Sequence, residues 1–215
     1  MNNISITIIL IAINCIVSFV GFSNQKLIDD LIFYPPAITN RNQWYRFITC
    51  GFIHADIPHL AFNMYSFYMF GQAIEDACTD IYGSSGRFMF LLMYISALFV
   101  CLLPTYFQHK NDYHYRSLGA SGAVSAVVFA FLFLAPLQPI GLIIIPFFKA
   151  PAFIFGFIYL GVSAYLAKRG TSSINHSAHL WGALYGIVFL IITCILFTSF
   201  NPLTNFVFEV RSYFK

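Results

Sequence analysis

Six stretches of this chain are long, apolar and free of Asp, Glu, Lys and Arg before their last turn: residues 4–22, 58–74, 88–107, 120–135, 150–167 and 177–199. A helix needs about 20 apolar residues to cross hydrocarbon. In lipid the backbone must satisfy its own polar groups, which leaves only helices and closed barrels. Runs of this length favour helices. Only 9% of the residues are charged while 59% are hydrophobic, against about 25% charged in a soluble domain. The expected fold class is all-α: a polytopic membrane protein whose six transmembrane helices form one bundle domain over residues 1–215. The first stretch lacks a basic n-region and a small-x-small cleavage site, so it is expected to be a retained span. A net charge of +3 with no basic run points away from nucleic acid. The five cysteines show no CxxC spacing, which argues against a zinc ribbon or disulfide framework.

The fourth stretch is short. From Ser121 to Ala135, just before Pro136, it is about 22 Å long at 1.5 Å per residue, less than a hydrocarbon core of about 30 Å. Its backbone must therefore end below one surface, beside protein or trapped water. It opens Gly119-Ala120-Ser121-Gly122, placing a hydroxyl between glycines at the floor of a wet cavity.

A serine hydroxyl needs a base to become a nucleophile. His179 is the candidate, at the head of the sixth stretch. With Gly182 and Gly186 it lies at i, i+3 and i+7 on one helical face. Small residues on such a face let two backbones approach closely, although the same pattern also marks ordinary helix packing. The spans offer no carboxylate for a triad, and Asp112 lies on a loop, so a Ser–His dyad is the simpler arrangement. A second constellation is His59 and Asn63, at i and i+4 near the head of the second stretch, after a potential cap at Asp56 and Pro58 in the first turn. Both side chains can donate hydrogen bonds to an oxyanion, or can simply pin their helix. A metal reading of His54, Asp56 and His59 has no recognised helical spacing and lacks a His-Glu-x-x-His motif.

These motifs together resemble the rhomboid family of intramembrane serine proteases, from Trp44 to about Gly186. GASG resembles the family's Gly-x-Ser-Gly, which makes Ser121 the implied nucleophile and Gly119 and Gly122 part of the substrate-binding site. AHLWG with Gly186 resembles its Ala-His-x-x-Gly-x-x-x-Gly and implies His179 as base. HLAFN resembles its His-x-x-x-Asn, so His59 and Asn63 are implied to bind the oxyanion with the Ser121 N–H. Arg46 and Glu75 look like the family's structural loop-one arginine and the acidic residue closing span two. Two features depart. Where the family often carries an aromatic beneath the histidine, this chain has Ser125, and Ser125→Tyr is expected to keep activity. The Lys/Arg distribution also runs against the topology that the family implies.

The resemblance implies an endopeptidase that cleaves the transmembrane segments of membrane protein substrates, with the lipid bilayer as medium and no cofactor or metal. A helical substrate must unwind before its carbonyl is reached, so helix-weakening segments are expected to be preferred. The compact six-span form suggests a bacterial inner membrane, and substrate entry is expected between spans two and five or over a loop around residues 168–176. Two rival functions are a catalytically silent helix-binding relative and a small transporter. The silent relatives typically lack the serine or the histidine. A transporter would be expected to carry internal repeats or paired broken helices. Oligomeric state is not encoded in any feature of the sequence.

Overall fold

The computed structural model describes residues 4–142, 145–169 and 174–215. Each of the six apolar segments holds a helix: α1 (Ile6–Phe22), α5 (Ile57–Tyr82), α6 (Gly86–Val100), α8 (Ser121–Leu134), α9 (Ala152–Arg169) and α10 (His176–Phe197). Between α1 and α5 run three short helices, α2 (Gln25–Leu31), α3 (Pro35–Arg41) and α4 (Arg46–Thr49); α7 (Leu103–His109) follows α6. Three helical segments are long and apolar enough to cross a membrane: Ile57–His109, which contains α5, α6 and α7, then Ala152–Arg169 and His176–Phe197. The helices Ile6–Phe22 and Ser121–Leu134 are apolar but shorter.

Two elements lie outside the expected helices. Strands β1 (Pro139–Leu142) and β2 (Ile145–Pro151) form an antiparallel hairpin. The all-α expectation is therefore corrected to a mostly helical chain with one small hairpin among the described residues. Pro136, Pro139, Pro146 and Pro151 remove the donors that a helix there would need. The tail folds into α11 (Pro202–Tyr213), capped by Asn201, whose Oδ1 accepts from the Leu203 and Thr204 N–H groups at 3.1 Å each.

Helix α8 is the axis of the bundle. Ten of its fourteen residues are buried, and Ala120, Ala123, Val124, Ala126, Val127 and Ala130 sit in the main core with residues from α5, α6 and α10. A helix that is apolar on all sides belongs in such a position. Small residues admit the closest neighbour. A Cβ on Gly182 would lie on the Gly122 carbonyl, 2.9 Å from its carbon, and one on Gly186 would lie 2.7 Å from the Ala126 carbonyl carbon. Helices α8 and α10 therefore touch backbone to backbone over more than one turn.

Helix α1 presents a partly polar stripe inward (Thr7, Asn14 and Ser18 are buried) and leaves Ile9, Ile16 and Phe19 exposed. Its free N-terminal donors are met by a carboxylate from α5. Glu75 accepts from the Ile6 N–H at 2.8 Å, the Thr7 N–H at 2.9 Å and the Ser5 and Thr7 hydroxyls at 2.9 Å each. Negative charge belongs at that end of a helix. Arg46, 6% exposed, stitches the segment between α1 and α5. Its guanidinium donates to the Asp29 and Ile32 carbonyls at 2.8 Å each and to Gln43 Oε1 at 2.7 Å.

Candidate active site

Ser121 is the first residue of α8, and the turn before it is built for close approach. Gly119 has φ +111°, a conformation that favours glycine, and a Cβ there would lie 2.7 Å from His59 Cε1. The His59 ring therefore packs on the backbone two residues ahead of Ser121. The Gly119 N–H donates to the Cys50 carbonyl at 2.9 Å. Gly122 faces Cys101, the residue that ends α6, and the Ala178 carbonyl of α10, where a Cβ would lie 3.4 Å from that oxygen.

His179 occupies the first turns of α10. Asn175 caps that helix, accepting from the Ala178 N–H at 3.0 Å, and the His179 N–H donates to the Asn175 carbonyl at 3.3 Å. Because α8 and α10 meet at Gly122–Gly182, the two helix heads are brought together. His179 Nε2 and Ser121 Oγ form a 2.7 Å hydrogen bond. In the neutral imidazole with its proton on Nδ1, Nε2 accepts from the hydroxyl, the arrangement a general base requires. Among the described residues no carboxylate pairs with His179. Asp112, the loop carboxylate weighed in the sequence, instead contacts His109 Nδ1 at 3.1 Å and accepts from the His114 N–H at 3.0 Å. The hydrogen bond to His109 holds its carboxyl below the usual carboxylate range.

Asp56 caps α5 through the His59 N–H at 2.7 Å, as its position before Pro58 predicts. Asn63, 3% exposed, donates its amide to the His59 carbonyl at 2.9 Å. The structure thus brings His59 against Gly119 and holds Asn63 one turn deeper on the same helix. A cavity of about 20 Å³ behind Ser121 is bounded by Cys50, Cys101, Gly119 and Asn175 among others. That volume accommodates about one water.

Two site contacts were not foreseen. His54, 1% exposed, links α1 to the turn before Ser121. Its Nδ1 lies 2.9 Å from Ser18 Oγ, and its Nε2 faces the Ala120 N–H at 3.5 Å. The Ser18 hydroxyl in turn donates to the Phe52 carbonyl at 3.2 Å, so His54 is neutral with its proton on Nδ1. Burial, then the neighbouring His59, lowers its pKa to about 4 against the pull of Asp56. The second contact is at Ser125, one turn below Ser121, whose hydroxyl lies 3.2 Å from the Tyr159 hydroxyl of α9. The space at 125 is therefore shared with a phenol from another helix. No local pattern announces either link; the sequence raises His54 only in the metal reading with Asp56 and His59.

The apolar helices and the half-buried polar pair at the heads of two of them define an integral membrane protein with a hydroxyl–imidazole site. A rhomboid domain model matches residues 41–196. The chain belongs to the rhomboid family. It is 31% identical over 144 residues to "RHOMBOID-like protein 12, mitochondrial" of Arabidopsis thaliana, covering 63% of this chain and 42% of that protein. It is 26% identical over 169 residues to "Presenilin-associated rhomboid-like protein A, mitochondrial" of Danio rerio, covering 77% and 42%. Over 92 residues it is 33% identical to "Putative rhomboid protease YdcA" of Bacillus subtilis, covering 43% and 42%. The matches thus span less than half the length of these relatives.

Proposed function

We propose that this chain is an intramembrane serine endopeptidase that cleaves transmembrane segments of membrane proteins with a Ser121–His179 dyad. The observation that carries this reading is the 2.7 Å Oγ–Nε2 hydrogen bond between the heads of α8 and α10. His179 takes the Ser121 proton as Oγ attacks the scissile carbonyl, then returns it to the leaving amine. Water, activated by the same imidazole, resolves the acyl-enzyme. The Ser121 N–H, His59 and Asn63 are the proposed oxyanion donors. For this the Asn63 amide turns from the His59 carbonyl toward the substrate oxygen. Gly119 and Gly122 give a substrate strand access to the backbone, Gly182 and Gly186 hold the two helices together, and Arg46 and Glu75 support the frame.

All six apolar helices cross the bilayer in this reading, and α8, 14 residues and so about 21 Å long, leaves Ser121 below one surface. A bacterial inner membrane is the proposed host, from the compact six-span form, although the relatives include mitochondrial and chloroplast proteins as well as a bacterial one; membrane fractionation of the source cell tests that assignment.

The test of function is cleavage of a single-pass model substrate by purified protein in detergent, with Ser121→Ala and His179→Ala alongside. Cleavage lost in both variants is expected, and cleavage that persists in Ser121→Ala overturns the mechanism. Failure of a fluorophosphonate to label wild type at Ser121 would favour a catalytically silent helix-binding relative.

A further inference from the structure

Helices α8 and α10 meet so closely at Gly182 and Gly186 that they behave as one unit, whereas α9 is held differently. Much of its surface is exposed, with Phe157 at 66% and Ile158 at 61%. Its inner face packs in a cluster that contains Phe129 of α8 and Ala183 and Ile187 of α10. At the junction of the three helices stands Tyr159. Its ring lies 5.2 Å from that of Phe129, and its hydroxyl is 3.2 Å from Ser125 Oγ. Among the described residues this is the one side-chain hydrogen bond joining α9 to another helix.

The heights of these contacts match the chemistry. Ser125 lies one turn below Ser121 on α8, and Ala183 one turn below His179 on α10. The phenol therefore occupies the layer directly beneath the reacting pair. Ser125, 6% exposed, is buried, as is Ser163 of α9, which also bonds the Tyr159 hydroxyl, and leaving a buried hydroxyl without a partner is costly. The hydrogen bond consequently favours the docked position of α9, and that docked helix in turn forms part of the floor on which the dyad rests.

We propose that Tyr159 is a positioning residue for the catalytic pair: by bonding Ser125 it holds α9 against the α8–α10 unit and fixes the floor beneath Ser121 and His179. The proposal rests on the assignment of those two residues as the reacting pair. It predicts that a change in α9, which carries no reacting group, alters the rate at which Ser121 reacts.

The experiment is fluorophosphonate labelling of the purified full chain, a reaction that needs an activated Ser121 but no transmembrane substrate. Wild type, Tyr159→Phe, Ser125→Ala and the double variant are compared over a range of probe concentrations. Each single variant should lower the limiting labelling rate about threefold to tenfold, the range open to one neutral hydrogen bond. The probe concentration for half-maximal rate should stay unchanged. Because both substitutions remove the same bond, the double variant should be no slower than the slower single one. A merely structural effect would not give this non-additive loss confined to the limiting rate. Wild-type labelling with Tyr159→Phe equally fast, or losses that multiply in the double variant, would overturn the proposal. If Tyr159→Phe does not fold, Ser125→Ala decides alone, because it leaves α9 unaltered. Wild type that takes no label overturns the dyad assignment itself, a result distinct from failure of the Tyr159 proposal.

Discussion

The approach of α8 to α10 at Gly182 gives the sharpest quantitative expectation. In Gly182→Ala the new methyl would sit on the Gly122 carbonyl group, 2.9 Å from its carbon and 3.2 Å from the Gly122 Cα. Ordinary carbon–carbon contacts are about 3.5–4.0 Å, so clearing the carbonyl carbon alone takes roughly 0.6–1.1 Å, and the carbonyl oxygen, which lies nearer still, pushes the two helices apart by more than that. The obstacle is backbone, so no side-chain rotation can relieve it. The gap opens one residue from Ser121 and three from His179, and their 2.7 Å hydrogen bond would stretch toward the limit of useful geometry. A misplacement of about 1 Å at a reacting pair costs on the order of a hundredfold in rate. We expect that loss in substrate cleavage and in fluorophosphonate labelling, with destabilisation of about 1–3 kcal/mol from overpacking. Gly161→Ala is the matched control, because a Cβ there meets nothing within 4 Å. Folded Gly182→Ala protein that cleaves within about threefold of wild type, far short of that hundredfold loss, would refute the steric argument.

Asn63→Ala should lower turnover by about ten- to a thousandfold, the scale of a lost oxyanion donor; undiminished steady-state cleavage would remove Asn63 from the mechanism. Ser125→Tyr, expected from the sequence to be tolerated, should instead lose labelling because the Tyr159 phenol already occupies that layer, and adding Tyr159→Ala should restore part of it; full activity in Ser125→Tyr alone would show that the layer has room for both rings. His54, with its pKa lowered from 6.5 to about 4, makes stability fall on acidification. The unfolded chain takes up the proton first, so this contribution is whole above pH 6.5, declines as pH falls to about 4, and is flat below. Its span is on the order of 3 kcal/mol. Thermal unfolding at pH 7 and pH 4.5 should show a smaller acid loss in His54→Gln, and an equal loss would clear His54 of that role.

The parts of the fold visible in the sequence were those written in local periodicity. Apolar length marked the segments that hold α1, α5, α6, α8, α9 and α10, and Asp56-Ile57-Pro58 marked the start of α5. The spacing of His179, Gly182 and Gly186 on one face anticipated their approach to α8. The parts that were not visible depend on residues distant in the chain. Ser18 and His54 are 36 positions apart, and Ser125 and Tyr159 are 34 apart. Thr7, Asn14 and Ser18 gave α1 too few polar residues to disturb its apolar character, so its inward polar stripe passed unnoticed. The tail's helix α11 escaped because it is neither long enough nor apolar enough to register as a span. Around the loop of residues 168–176 expected to admit substrate, residues 170–173 lie outside the described part.

The carboxylate that completes α1 has a consequence for synthesis. Glu75 follows the donors it satisfies by about 70 positions, and a ribosome adds roughly 5–20 residues per second. For several seconds α1 therefore exists without that carboxylate, capped only by Ser5, whose hydroxyl accepts from the Ile8 N–H at 3.2 Å, while the Ile6 and Thr7 N–H groups are left to water or lipid headgroups. Only when α5 has been inserted alongside does the first helix acquire its finished end. The order of translation thus separates making the first helix from completing it, and a chain stopped before Glu75 holds α1 in its unfinished state.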